Sequence, residues 1–469
     1  MMSVAMLPTA IVQVLQAHSQ KHAELTEELH HLSILSQEEA ASHPGARLIL
    51  LQDEQGPLQA IFPSQALVDI DALNKKLNRS LTILPQAKYQ DRLSRLKLQA
   101  IPAIPALTEL PVVADNALQQ LDGVVLEAGQ PGQWFKLSGA FFRSLLDGAQ
   151  WVDFSIPLDQ ILINRHDSQR DLDQINTAIS KFTLLRIQQR LEDTLELPPL
   201  PDTAQRILKL RTNPDASVAE LAEIVETDPS LSAQVVSWAG SSFYAAPGRV
   251  RSVQDAIIRI LGFDLVMNLS MGLALGRSLK LPQDAPEGLA PYWKQAVWIA
   301  TLTSTLAALT PSKHRPEFGL SYLAGLLHNF GYLVLAHVFP PHFSLICRYT
   351  ECNRHLDVSY VEQYLLGFTR EQIGSKLMEL WNMPPEVITA LRHQKNPEFQ
   401  EKYAEYANLI FTATQLLRGR GVIAGPAQPI PEELYQRLHL DPAKVEKTMD
   451  ELLEAADELA SIAAALDQV

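Results

Sequence analysis

The stretch AGLLHNFGYLVL (residues 324–335) closes one apolar helical run on His328, sets Asn329 after it, and continues into further apolar residues. The same pattern extends outward on both sides. From residue 197 onward, apolar stripes at helical spacing are broken by NPD, DPS, APG, LPQDAPEG and FPPH, and no β-rich region interrupts them. The spacing predicts an all-α second half of ten or more helices. Trp293, Trp298 and Leu302 form a stripe on one helical face and read as core. The chain closes on VEKTMDELLEAADELASIAAAL (445–466), one amphipathic helix by its pattern. Its apolar seam is too short for a sustained heptad repeat, so packing on its own domain is favoured and a homodimer stays open.

Upstream the pattern changes. RLILLQD (47–53) and LQAIFP (58–63) flank the turn-like DEQG and predict a hairpin. LVDIDALNKKLN (67–78) has helical spacing, with Asp69 and Asp71 near its start, where the helix dipole favours acids. LPVVADNAL (110–118) and LDGVVLEAG (121–129) read as strands, and SGAFFRSLL (138–146) as a helix capped by Ser138. Such interleaving predicts a compact α/β (α+β) domain. Between the halves, residues 167–196 are polar with apolar residues at helical intervals, the mark of a linking helix ahead of the LPPLP break at 197–201. The expected layout is multidomain: 1–160 α/β, 161–196 linker helix, 197–410 all-α, and 411–469 a helical extension.

At 469 residues the chain exceeds one ordinary core, and 46% apolar with 20% charged residues is the profile of a folded, soluble protein. Residues 1–160 hold 11 basic and 17 acidic side chains, and the whole chain carries −14. Neither half has the positive excess that drives nonspecific nucleic-acid binding, so nucleic acid is not an expected partner. Apolar runs near ten residues fall short of the roughly 20 that span a bilayer, so no membrane insertion is expected. The N-terminus shows no secretory pattern. Cys347 and Cys352 are the only cysteines, and a cytoplasmic location is expected.

LPPLPDTAQRILKL (197–210), ELAEIVETDPSLSAQVVSWAGSSFY (220–244) and VQDAIIRILG (253–262) resemble the opening of an HDOD domain, a helical relative of the metal-dependent HD phosphohydrolases. Gly240 stands where that family commonly has asparagine. The resemblance implies a metal cradle of scattered histidines and a His-Asp pair. Mapped onto this chain, the cradle positions hold Gln295, His328-Asn329, Arg370, His393-Gln394 and Asn408. Neutral amides are poor ligands for hydrolytic divalent ions, and two histidines alone do not assemble a catalytic site. Neither a metal nor another cofactor is therefore expected. The remaining polar set, Gln295, His328, Asn329, Arg370, His393 and Asn408, is a candidate ligand pocket, with the arginine and amides as donors to an anion. The plainer alternative makes His328 and His393 hydrogen-bonded core or pocket residues, and His337, His342 and His355, which lack a recurring ligand spacing, read as surface or packing residues.

The stretches 48–84, 98–118 and 126–146 resemble the YbaK-type aminoacyl-tRNA deacylase fold. Arg47 stands for its lysine, and Gln99 for the glycine of a G-x-x-P loop ending at Pro102. Arginine does not have a lysine's tunable pKa, and a larger side chain at 99 intrudes on close backbone approach to a substrate. The pairing of the two domains is similar to that of bacterial surface-attachment regulators. It implies a non-catalytic signalling protein, tied to biofilm formation, motility and cyclic di-GMP. Its partner would be an unidentified signalling protein or a cyclic dinucleotide. The competing readings are an HD-type phosphohydrolase and an aminoacyl-tRNA deacylase.

Overall fold

The computed structural model describes residues 7–467 except 22–26, 28, 30, 31, 33, 37, 38, 41, 131, 188–198, 241–249, 251, 277, 280, 281, 283 and 288. The chain forms two compact units. One comprises Met1–Leu162 with Ile346–Val361, and the other Ile163–Leu345 with Glu362–Val469.

Unit 1 is built on strands β1 Ile34–Leu35, β2 Ala46–Asp53, β3 Gly56–Pro63, β4 Ala66–Val68, β5 Thr82–Ile83, β6 Val112–Asp115, β7 Gly123–Glu127, β8 Trp134–Ser138, β9 Gln150–Val152 and β10 Ser155–Pro157. The main sheet runs β5-β2-β3-β6-β9, with β1-β8-β7 and β10-β4 beside it. The predicted hairpin is β2–β3, in register from Ala46↔Pro63 to Asp53↔Gly56. Its turn needs glycine, because Gly56 has φ +111°. Arg79 clasps the turn, donating from Nε to Asp53 Oδ2 at 2.8 Å, and this bond holds the Asp53 carboxyl down at about 2.

Alternation along β2 sorts its side chains between two faces. Ala46 and Leu48 face the core around Ile61, Leu126, Phe135 and Phe142, while Arg47 lies opposite Phe62 on the other face. The helix expected over 67–78 starts later. Leu67 and Val68 pair with β10, and Asp69 caps the helix Ile70–Leu77 by accepting from the Ala72 amide at 2.9 Å. Ser138 caps Gly139–Leu145 as the sequence suggests.

Unit 2 is helical, with no strand among its described residues. Its central helices, Phe263–Gly276, Tyr292–Leu309 and Phe318–Leu327, pack on one another and bury nearly every side chain. Residues Phe318–Val338 are long and apolar enough to cross a membrane by length and composition, exceeding the run length read from sequence; 83% of the most apolar 18 residues there are buried inside the fold. Ile257–Leu261 winds as a π-helix, ended by Gly262 at φ +80°.

Two expectations shift. The segment read as a linker helix is claimed at its start by unit 2, because Asp171, 0% exposed, is bonded there to Arg392 and Gln372; residues 188–196 lie outside the described residues. The single closing helix is two, Pro442–Glu454 and Ala456–Asp467. No breaker residue marks the break at Ala455. Each half packs on Tyr292–Leu309.

Candidate functional site

In unit 2 the candidate residues sit on the ends of packed helices. His328 and Asn329 form the turn between Phe318–Leu327 and Phe330–Val338. Arg370 opens the helix Arg370–Leu380, and His393 ends Pro385–His393. Two of these helices touch through backbone: a Cβ on Gly331 would lie 1.9 Å from the Arg370 carbonyl, and a Cβ on Gly374 would lie 3.0 Å from the Gly331 nitrogen. Glycine at both positions permits that approach.

Arg370 is held by buried neighbours. Its Nε donates to Glu362 Oε1, its backbone N–H donates to Glu362 Oε2 at 3.0 Å, and its Nη1 donates to Asn329 Oδ1 at 3.0 Å. The guanidinium lies 5.2 Å from the Tyr332 ring centroid, over its negative face. Glu362 is 0% exposed. Burial pushes its carboxyl up, and the Arg370 charge works against that. Burial also opposes the Arg370 charge, but Glu362 and then Glu371 more than offset it, so the arginine pKa lies above its ordinary value. Lys395 pairs with Glu371 at 2.8 Å beside them.

The other candidates are tied locally. Nδ1 of His328 lies 2.7 Å from the Gly325 carbonyl, and Gln394 Nε2 donates to the His328 carbonyl at 2.6 Å. Gln295 Nε2 donates to the Ala290 carbonyl at 2.7 Å. His393 stacks on Phe399, 3.8 Å between centroids and nearly coplanar. Asn408 Nδ2 donates to the Phe399 carbonyl at 3.2 Å. Burial holds the rings of His328 and His393 down at about 4, so both are neutral at pH 7. Among the described residues, two buried side-chain atoms of this set, His393 Nδ1 and Asn408 Oδ1, have no hydrogen-bond partner.

A divalent ion does not fit this donor set. The position beside Asn329 is filled by a fixed guanidinium with its own buried carboxylate, and Arg370 is among the charges depressing His328. No cluster of three or more His, Cys, Asp or Glu suited to a metal exists among the described residues. Glu362 and Asn329 take the Nε and Nη1 donors that Arg370 could otherwise turn to an anion. Glu362, which decides this, was not singled out in sequence; only its spacing of eight residues before Arg370 hints at it.

In unit 1, Arg47 Nη2 pairs with Glu127 Oε1 at 2.8 Å, both half-exposed. The Gln99 amide donates to the Gly129 carbonyl at 2.8 Å, and Ala100 donates to the same oxygen at 3.3 Å. Gly129 has φ +69°, and a Cβ there would meet the Ala100 carbonyl at 2.7 Å. The glycine that permits close approach therefore lies at 129, across from the loop, while Gln99 points to solvent and Pro102 is buried.

Residues 197–397 match the HDOD domain, and residues 31–145 match the aminoacyl-tRNA editing domain. A Marinobacter aquaeolei VT8 protein, provisionally described as a signal transduction protein, is 47% identical over 98% of this chain and all of that one, with a TM-score of 0.88. The chain belongs to the same family, in which an HDOD domain follows an editing domain of YbaK type. An uncharacterized Treponema pallidum (strain Nichols) protein is 24% identical over 290 residues, 61% of this chain. That match spans 53% of the Treponema relative's length.

Proposed function

We propose that this chain is a non-catalytic bacterial signalling regulator of the cytoplasm, acting through ligand or protein binding in control of surface attachment, biofilm formation and motility linked to cyclic di-GMP. One observation carries the reading: where an HD enzyme would place a metal, Arg370 is locked to the buried Glu362 and to Asn329. A site whose charge is neutralised from within has no Lewis acid to polarise a phosphoryl oxygen or activate water. The family relation to a protein provisionally described as a signal transduction protein supports the same direction. The ligand or partner would engage the surface around Gln295, His328, Asn329, Arg370, His393 and Asn408, or the Arg47, Gln99 and Pro102 region of the first unit.

The test is calorimetric titration of the full chain with cyclic di-GMP, beside hydrolysis assays of cyclic and linear dinucleotides with manganese. Saturable binding without turnover is expected. Metal-stimulated hydrolysis abolished by His328→Ala would return the phosphohydrolase, and absence of binding would remove the dinucleotide from the reading.

A further inference from the structure

Residues Ile346–Val361 fall inside the HDOD-matched range, yet they fold as part of unit 1. Their contacts there are specific. Asn353 Oδ1 accepts from the Val68 amide at 2.7 Å, and its Nδ2 donates to the Val68 carbonyl at 3.0 Å. Those are the two bonds a neighbouring strand would make to Val68. One side-chain amide thus stands in for a strand at the edge of β4 that β10 leaves open. Tyr349 donates to Asp69 Oδ1 at 2.7 Å, one residue further along. His355 Nε2 lies 3.0 Å from the Ala66 carbonyl, and its ring is 5.2 Å from that of Phe62.

Phe62 is the cross-strand partner of Arg47, and both lie on the sheet face turned away from the main core of the unit. The Arg47 charge is felt at His355, where it adds to burial in keeping the imidazole neutral. The segment therefore covers the β4 edge and one flank of the Arg47–Phe62 face. It does so without joining a sheet, through side-chain bonds from three residues.

We propose that Tyr349–His355 is a releasable latch, a cis-acting cover on the Arg47–Phe62 face of the editing-type domain, whose opening exposes the β4 edge while the rest of unit 1 stays folded. The segment ends seven residues before Glu362, which lies on the helix Val358–Leu366. The latch holds whether or not the helical domain binds a dinucleotide.

The test is native-state hydrogen exchange on the full chain across a low-denaturant series, with Asn353→Ala and the milder Tyr349→Phe beside the natural protein. In the natural protein, the amides of Val68 and of 349–355 should exchange together through one opening of lower free energy than that of β2, β3 and β7, while the Leu67 amide, which faces β10, stays protected. Asn353→Ala should speed exchange of the Val68 amide by about tenfold and leave β7–β8 unchanged. Diethylpyrocarbonate should modify His355 faster in the same variant. Exchange of Val68 at the rate of global unfolding, or unchanged in both variants, would overturn the latch. So would loss of protection throughout unit 1 in Tyr349→Phe, because the segment would then be ordinary core.

Discussion

Arg392 grips Asp171 with two donors, Nη2 to Oδ1 at 2.9 Å and Nε to Oδ2, with the side chains 6% and 0% exposed. The pair joins the start of the helix Asp171–Ile187 to the end of Pro385–His393. Gln372 and Asn164 supply further donors to the same carboxylate, so its lone pairs are used. The neighbours of Arg392 in sequence reach elsewhere, His393 onto Phe399 and Gln394 to the His328 carbonyl. Three consecutive residues thereby tie the start of that helix to the candidate site.

Asp171→Ala should cost about 3–5 kcal/mol of unit 2 stability, because it leaves the Arg392 guanidinium buried with no countercharge. The double variant Asp171→Ala, Arg392→Met should cost less than Asp171→Ala alone. Urea unfolding of the full chain, read by fluorescence and fitted with an intermediate, measures both. A double variant no better than the single one would mean that the segment is held by packing and not by the ion pair.

Arg370→Ala should be destabilising to a similar degree, about 3–5 kcal/mol, because buried Glu362 then loses the guanidinium bonded to it. The missing group is a planar cation, which gives the prediction a second arm. Low millimolar guanidinium should raise the melting temperature of Arg370→Ala saturably while leaving the natural protein unmoved or slightly lowered. Sodium chloride at the same ionic strength should not reproduce it. Glu362→Gln should abolish the rescue.

How much of this was legible depended on distance along the chain. The β2–β3 hairpin, the Ser138 cap and the helical second half follow from local period and turn residues, and they are where the sequence places them. Asp171 and Glu362 were not legible. Each lies in an ordinary amphipathic stretch and becomes singular only because an arginine is brought to it, across 221 residues for Asp171. Membership of 346–361 in unit 1 was hidden for the same reason: Asn353 answers a strand 285 residues away. Of the candidate site, the sequence named Asn329, Arg370 and His393 but missed Glu362, the partner that fixes what Arg370 does.

Stability should fall on mild acidification. His328 and His393 are held at about 4 and His355 at about 3, each by burial first, against an unfolded value near 6.5. The folded pKa values are depressed, so these groups cost nothing above about pH 7. As pH drops below 6.5 the unfolded chain takes up protons that the folded one refuses. His328 and His355 then each remove up to about 1.4 kcal/mol per pH unit until the folded pKa is reached, and the less buried His393, partly screened by solvent, removes less. Urea midpoints measured from pH 7.5 to 5 should decline, and His355→Gln should flatten the slope. A flat natural profile would mean that the rings are solvated.

Gly331→Ala tests the closest backbone approach in the candidate site. A Cβ there would sit 1.9 Å from the Arg370 carbonyl oxygen and 2.7 Å from its carbon. Both are main-chain atoms, so no rotamer change relieves the overlap and the two helices must separate. That movement would carry Arg370 away from Asn329, whose turn immediately precedes Gly331. The cost should be at least about 1–3 kcal/mol, the range for an overpacked core. Gly419, the last residue of the helix Ala404–Gly419, has nothing within 4 Å of its Cβ position. Gly419→Ala should therefore be neutral or mildly stabilising, since alanine exceeds glycine in helix propensity by up to about 1 kcal/mol. Melting curves of the two alanine variants should move in opposite directions, or Gly331 alone should fall. Equal melting would mean that these helices do not meet through backbone, and the lock on Arg370 would lose its support.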